Sequence, residues 1–246
     1  MLIALLADIH ANRQAFAACL EDAAARGAGK FVLLGDYVGY GADPAWTVAK
    51  AMELVDEGAI AVLGNHDYAI SGANAGLNSG AQTVVDWTRG ELGVEERRFL
   101  ASLPLTVARD EKLFVHADAS APKRFIYVDS AEDAARSLNA TKAQVTFCGH
   151  VHRPAIYSIT AASKMTAFTP VTDVPIPLQG MRRWLAVLGS VGQPRDGNPA
   201  ASYCTLDTDK DEVAFRRVPY DIEQAAAAIK RAGLPQIFAR RLFVGR

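Results

Sequence analysis

Leu2-Ile3-Ala4-Leu5-Leu6-Ala7-Asp8-Ile9-His10 opens the chain with six apolar residues that run straight into a carboxylate and an imidazole. Continuous rather than alternating apolarity predicts a short strand covered on both faces, as in a sheet layered with helices. The same phrase returns downstream. Phe31 to Leu34 meets Gly35-Asp36, and Ala59 to Leu63 meets Gly64-Asn65-His66-Asp67. Leu113 to Val115 meets His116, and Val145 to Cys148 meets Gly149-His150-Val151-His152. Between these runs, apolar spacing predicts helices over Arg13 to Ala25, from Pro44 to Val55, and over about Ala81 to Arg89, Glu95 to Leu103 and Ala131 to Leu138.

From Ala155 the pattern changes to period-two strands: Ala155 to Ile159, Met165 to Phe168, Trp184 to Leu188, Ser202 to Leu206 and Glu212 to Val218. Strand–helix alternation followed by antiparallel strands predicts an α/β fold with a mixed sheet or two packed sheets and helices outside. A last helix, about Ile222 to Ala232, precedes a tail with Arg240, Arg241 and Arg246, read as a solvated or packing segment. The Gly/Pro-rich stretch Gly189 to Pro199 is flanked by strands, so it reads as a structured loop. With no repeat and no flexible linker, residues 1–246 read as a single domain. The 155–183 segment reads as sheet edge in preference to a lid. Gly27-Ala28-Gly29-Lys30 ends a helix and is no phosphate loop, because Phe31 stands where Ser or Thr is needed.

Composition narrows the function. Among 246 residues, Lys+Arg 26 nearly balance Asp+Glu 27, a net charge of −1 that argues against nucleic acid held by backbone electrostatics. No apolar run approaches the roughly 20 residues of a membrane span, and the start lacks a basic leader, so the expected location is the cytoplasm. Cys19, Cys148 and Cys204 form neither a disulfide framework nor a Cys-x-x-Cys motif, and no disulfide partner is expected. Self-association is left open.

In open α/β sheets, ligands bind beyond the carboxyl ends of the strands. All five histidines, at 10, 66, 116, 150 and 152, follow an apolar run immediately, with Asp8, Asp36 and Asn65 in equivalent places. One such histidine is ordinarily a solvated loop residue; five in register point to a metal. Imidazole, carboxylate and amide oxygen suit manganese, iron or zinc, and the missing thiolate excludes a structural Cys-based zinc site. Seven candidate donors, Asp8, His10, Asp36, Asn65, His116, His150 and His152, are too many for one ion and suit two sharing a carboxylate. Two divalent cations outweigh Asp8 and Asp36, leaving local positive charge for a phosphate anion.

Asp8-x-His10, Gly35-Asp36-x-x-Gly39, Gly64-Asn65-His66-Asp67, His116 and Gly149-His150-x-His152 resemble, in order and spacing, the five signature blocks of the calcineurin-like metallophosphoesterase superfamily. Gly189-Ser190-Val191-Gly192-Gln193-Pro194-Arg195 resembles a block of its small bacterial and archaeal branch, that of YfcE-like phosphodiesterases and diadenosine polyphosphate hydrolases. The resemblance implies a two-sheet αββα sandwich and two divalent metals, manganese first, with iron, zinc or nickel as alternatives. It places Asp8, His10 and His152 on one metal and Asn65, His116 and His150 on the other, with Asp36 bridging. It implies attack at phosphorus by a metal-generated hydroxide on a small nucleotide-like phosphodiester or dinucleoside polyphosphate. His66, a non-ligand, would contact phosphate and protonate the leaving alkoxide, a task that suits an imidazole with an ordinary pKa near 6.5. Asp67 would cap its turn in preference to orienting His66.

The match departs from the family in two places. The Ser/Thr phosphatase branch carries Asp-Arg where this chain has Gly39-Tyr40, which disfavours a phosphoprotein substrate; a catalytically silent scaffold is the remaining alternative. His116 is followed by Ala117-Asp118 where relatives carry Gly. Arg13, Arg153 and Arg195 are the candidates to supply the missing cation toward substrate, Arg195 foremost.

Overall fold

A computed structural model describes residues 1–72 and 77–246. The first half runs β1 (Leu2–Leu6), α1 (Arg13–Ala25), β2 (Lys30–Leu33), α2 (Pro44–Asp56), β3 (Ile60–Ala61), α3 (Asn65–Ile70), α4 (Ser79–Glu91), α5 (Val94–Ser102), β4 (Thr106–Arg109) and β5 (Lys112–Val115). The second half runs α6 (Ala131–Asn139), β6 (Val145–Cys148), β7 (Ala155–Thr160), β8 (Met165–Phe168), β9 (Ile176–Pro177), β10 (Arg182–Val187), β11 (Ala201–Asp207), β12 (Glu212–Val218), α7 (Ile222–Arg231) and α8 (Gln236–Val244). Helix starts follow local chemistry. Asn12, Asn78, Ser130 and Asp221 each accept a first-turn N–H at α1, α4, α6 and α7, and Pro44 opens α2 with its fixed φ.

The strands build two six-stranded mixed sheets among the described residues, in the orders β3-β2-β1-β11-β12-β9 and β4-β5-β6-β10-β7-β8. Each contains a parallel triplet, β3-β2-β1 in one and β5-β6-β10 in the other. Period two along β1 sends alternate residues to opposite layers. Leu5 and Ala7 pack with Phe114, Phe147, Trp184 and Ala186 between the sheets. Ala4 and Leu6 pack outward with Phe16, Cys19 and Val48 of α1 and α2. On the far side Leu185 and Val187 of β10 receive Ala134 and Leu138 of α6. The layers are therefore helix, sheet, sheet, helix, the expected αββα sandwich.

Within 155–183, β8 closes the second sheet and β9 closes the first, the expected sheet edge, while β7 lies one strand inside. The tail is a packing segment, one of its two readings, and it is helical. Its residues 236–244 form α8, which buries Phe238, Ala239 and Leu242 against α7 and Tyr40 while Arg240 stays outside. Besides α8, three helices and strands have no counterpart in the sequence pattern: α3, β4 and β9. No helix among the described residues is long and apolar enough to cross a membrane.

Candidate metal centre

Both parallel triplets point their carboxyl ends to the same rim. Asp8 follows β1, Asp36 follows β2, Asn65 and His66 follow β3, His116 follows β5, and His150 and His152 follow β6. The loop after β10 supplies a sixth strand end. It is laced to the first: Val191 and Gly192 donate backbone N–H groups to Ala7 and Asp8 carbonyls, and Ser190 Oγ donates to Asp8 O at 2.8 Å.

The rim is built from unusual backbone. Asp8, His10, Asp36, His150 and His152 all occupy the left-handed region, with φ of 55, 50, 56, 67 and 61°. Such conformations cost energy for non-glycine residues and persist where surrounding hydrogen bonds over-determine them. Asp67 supplies many of those bonds. Its carboxylate accepts N–H groups from Asp36 (2.7 Å), Tyr37 (2.9 Å), Val38 (3.3 Å) and Gly64 (3.0 Å). It caps α3, as the sequence suggests, and also ties the Asp36 loop to it. Burial, with the Asp36 carboxylate second, pushes Asp67 up to about 7. Gly149 serves close approach, because a Cβ there would lie 2.6 Å from Asp8 Oδ2. Ala117 needs no glycine, since residues 116–118 are outside the positive-φ set.

Three histidines are pinned alike. Nδ1 of His10 donates to Val38 O (3.0 Å), Nδ1 of His116 to Leu34 O (2.7 Å), and Nδ1 of His152 to Gln193 O (2.6 Å). A carbonyl only accepts, so each Nδ1 carries the proton and Nε2 presents a lone pair, the tautomer of a metal-ligating histidine. Nε2 of His10 and of His152 then face each other at 3.0 Å. His10 is neutral, its pKa held well below the usual histidine value by burial and then by His152. Two lone pairs at that distance repel unless a cation sits beside them.

The second group behaves in a complementary way. His116 Nε2 lies 3.1 Å from Asn65 Oδ1, 3.2 Å from His150 Nδ1 and 3.4 Å from Asp36 Oδ2. Burial opposes charge on His116, yet the Asp36 carboxylate lifts its pKa to about 9, so the surroundings of this ring favour positive charge. Burial, then His116, depress His150 to about 3. Asp36 Oδ2 is also 3.7 Å from His10 Nε2, which puts one carboxylate oxygen between the two groups. Asp8 Oδ1 stands 3.4 Å from His152 Nε2. Three donor sets can each converge on one point: Asp8, His10 and His152; Asp36, His116 and His150; and His10, Asp36 and His66. The all-oxygen-and-imidazole chemistry of these sets fits divalent cations.

His66 lies at this junction, buried, with its Nδ1 lacking any hydrogen-bond partner. Burial lowers its pKa to about 4, against the opposing pull of Asp36. Burial thus takes His66 away from the ordinary value near 6.5 and favours its neutral form at pH 7. Gly39, at φ 91°, makes room for its ring, since a Cβ there would overlap it.

A cavity of about 240 Å3 opens over the donors, lined among others by Asp36, Asn65, His66, His150, His152 and Arg195. Arg195 Nη2 donates to Tyr40 Oη at 3.1 Å, and its Nε is buried without a partner. Arg13 and Arg153 do not line it. Arg13, the first residue of α1, lies over Trp46 of α2 (5.0 Å), and Arg153 is exposed and donates to Arg195 O. Being next to a motif residue in sequence does not aim a side chain at the motif's ligand. Arg124 and Tyr127 do line it, and no motif marks either.

Residues 1–211 match the calcineurin-like phosphoesterase superfamily domain. The chain belongs to this superfamily. It is a phosphate-ester hydrolase of a metal-dependent family. The uncharacterized protein MJ0912 of Methanocaldococcus jannaschii is 34% identical, covering 100% of this chain and 98% of its own. A metallophosphoesterase from Sphaerobacter thermophilus has a similar structure, with TM-score 0.89 and 34% identity over 100% of this chain and 99% of that one. The hypothetical protein PH1004 of Pyrococcus horikoshii shares the fold at TM-score 0.77 and 20% identity, covering 100% and 98%.

Proposed function

We propose that the chain hydrolyses a small nucleotide-like phosphate ester, a phosphodiester or dinucleoside polyphosphate, at a pair of divalent cations, manganese first. The observation that carries this reading is the placement of Asp36 Oδ2 between His10 Nε2 (3.7 Å) and His116 Nε2 (3.4 Å), one carboxylate oxygen shared by two donor groups. Asp8, His10 and His152 hold one cation, and Asn65, His116 and His150 hold the other, with Asp36 common to both. When bound, such a pair activates water and neutralises phosphoryl oxygens.

The remaining work falls to the chain. Arg195 forms no ion pair with a carboxylate among the described residues and keeps a buried N–H unused, so its guanidinium is set to grip a phosphoryl oxygen. Tyr40 holds it there and packs on His10 (4.4 Å) and His66 (4.6 Å). An anionic phosphoryl group beside His66 raises its proton affinity, so that the ring takes up a proton from solvent and passes it to the departing oxygen as the ester bond breaks. The whole chain acts as one catalytic domain, because Phe238 of α8, beyond the family match, packs at 4.8 Å on Tyr40.

The test is a hydrolysis panel with manganese-loaded protein: bis(p-nitrophenyl) phosphate, p-nitrophenyl phosphate and a dinucleoside tetraphosphate. Cleavage of a diester or dinucleotide, abolished by chelator, is the expected result. Cleavage of none of the three would favour a silent scaffold.

A further inference from the structure

The cavity over the donors carries a second guanidinium. Arg124 ends a short 3-10 turn, Pro122–Arg124, and lines the same cavity as Asp36, His66, His150 and Arg195. Its side chain is exposed, and among the described residues no carboxylate lies within ion-pairing distance of it. The residue after it, Phe125, is left-handed at φ 47° and ψ 47°, a conformation that a bulky side chain enters only at a cost.

Packing against the site sustains that strain. The buried Phe125 ring meets His116 edge-on at 5.9 Å and Tyr68 at 5.9 Å. Two residues on, Tyr127 lies flat on His150, 4.3 Å away and 16° from parallel. The turn is therefore fastened to two donor histidines, and Arg124 is held next to both fastenings at the cavity wall. No ion pair among the described residues accounts for a cation there, on the cavity that Arg195 and the donor set also line. Two guanidinium groups on one cavity, neither ion-paired to a carboxylate among the described residues, favour an anion between them. One phosphoryl group already has partners in the donor set and Arg195.

We propose that Arg124 is a specificity-determining residue that binds a second phosphate of the substrate, adjoining the phosphoryl group being cleaved. The preferred substrate then carries a diphosphate or longer chain, and a diester with a single phosphoryl group is a poor mimic. This rests on the phosphoesterase reading above. A guanidinium presents a planar fork to phosphate, whereas a lysine offers only a point charge.

The experiment compares Arg124→Ala and Arg124→Lys with the wild type on P1,P4-di(adenosine) tetraphosphate and on bis(p-nitrophenyl) phosphate. Without the charge-assisted hydrogen bond to the second phosphate, KM for the tetraphosphate rises roughly 10- to 100-fold in Arg124→Ala. kcat should change less than about threefold, and KM for the single-phosphoryl diester less than about twofold. Arg124→Lys should recover part of the loss. Titration calorimetry with a methylene-bridged, non-hydrolysable tetraphosphate on manganese-loaded protein asks the same question without turnover. Equal KM increases on both substrates, or unchanged tetraphosphate KM and analogue affinity, would overturn the proposal. A wild type that binds the analogue through Arg124 yet cleaves nothing would sink the hydrolytic reading alone.

Discussion

On the donor side of the cavity, Asp8, His10, Asp36, His150 and His152 sit in left-handed backbone, and three imidazoles are locked to main-chain carbonyls at 2.6–3.0 Å. On the outer wall, Arg124 and Tyr127 are exposed, and Arg124 makes no ion pair among the described residues. The donor side uses backbone strain and buried hydrogen bonds to fix atoms that must converge within a few ångströms. The wall confines its strain to one residue, Phe125, and presents a guanidinium whose tip stays adjustable. A metal site tolerates little error in position, whereas discrimination between substrates needs reach and charge.

The comparison breaks most visibly at His66, which belongs to neither side: it neighbours His10 and Asp36 but stands apart from the two donor groups built around His152 and His116. His66→Ala should lower kcat by about 10²- to 10⁴-fold, the range for loss of a general acid, with metal content unchanged by elemental analysis. Metal lost along with activity would move His66 into the donor set. Tyr40 links the donor side to Arg195. Tyr40→Phe keeps the ring contacts with His10, His66 and Phe238 and removes the oxygen that accepts from Arg195. KM should rise about 10-fold while kcat changes less than about threefold. A kcat-only defect would mean that Tyr40 serves His66 and not Arg195.

The difference between the two sides also explains what could be read from sequence. Each predicted donor comes directly after an apolar run, and parallel strands deliver the residues at their carboxyl ends to one rim, so a one-dimensional pattern carried a three-dimensional site. The left-handed backbone was hidden, because Asp and His adopt it without the glycine that would announce it. Arg13 and Arg153 misled, because adjacency to a donor in sequence says nothing of which way a side chain leaves the turn. Arg124 sits in Pro122-Lys123-Arg124-Phe125, a stretch with no periodicity, and only the packing of Phe125 on His116 makes it part of the site. Helix α8 was concealed by its arginines at 240 and 241, although Phe238, Ala239 and Leu242 share one buried face. Its contact with Tyr40 spans nearly the whole chain and has no local signature. Strand β4 is half exposed and β9 is two residues long, too little apolar pattern for either to register.

The central claim, that one carboxylate joins two cation sites, is tested most directly by metal analysis of manganese-reconstituted wild type and Asp36→Asn after desalting. The account predicts two ions per wild-type chain. In the variant both sites should weaken together, by at least about tenfold each, because the amide replaces a shared negative charge. A wild type that binds one ion, or a variant that loses one site and keeps the other at full affinity, would contradict it.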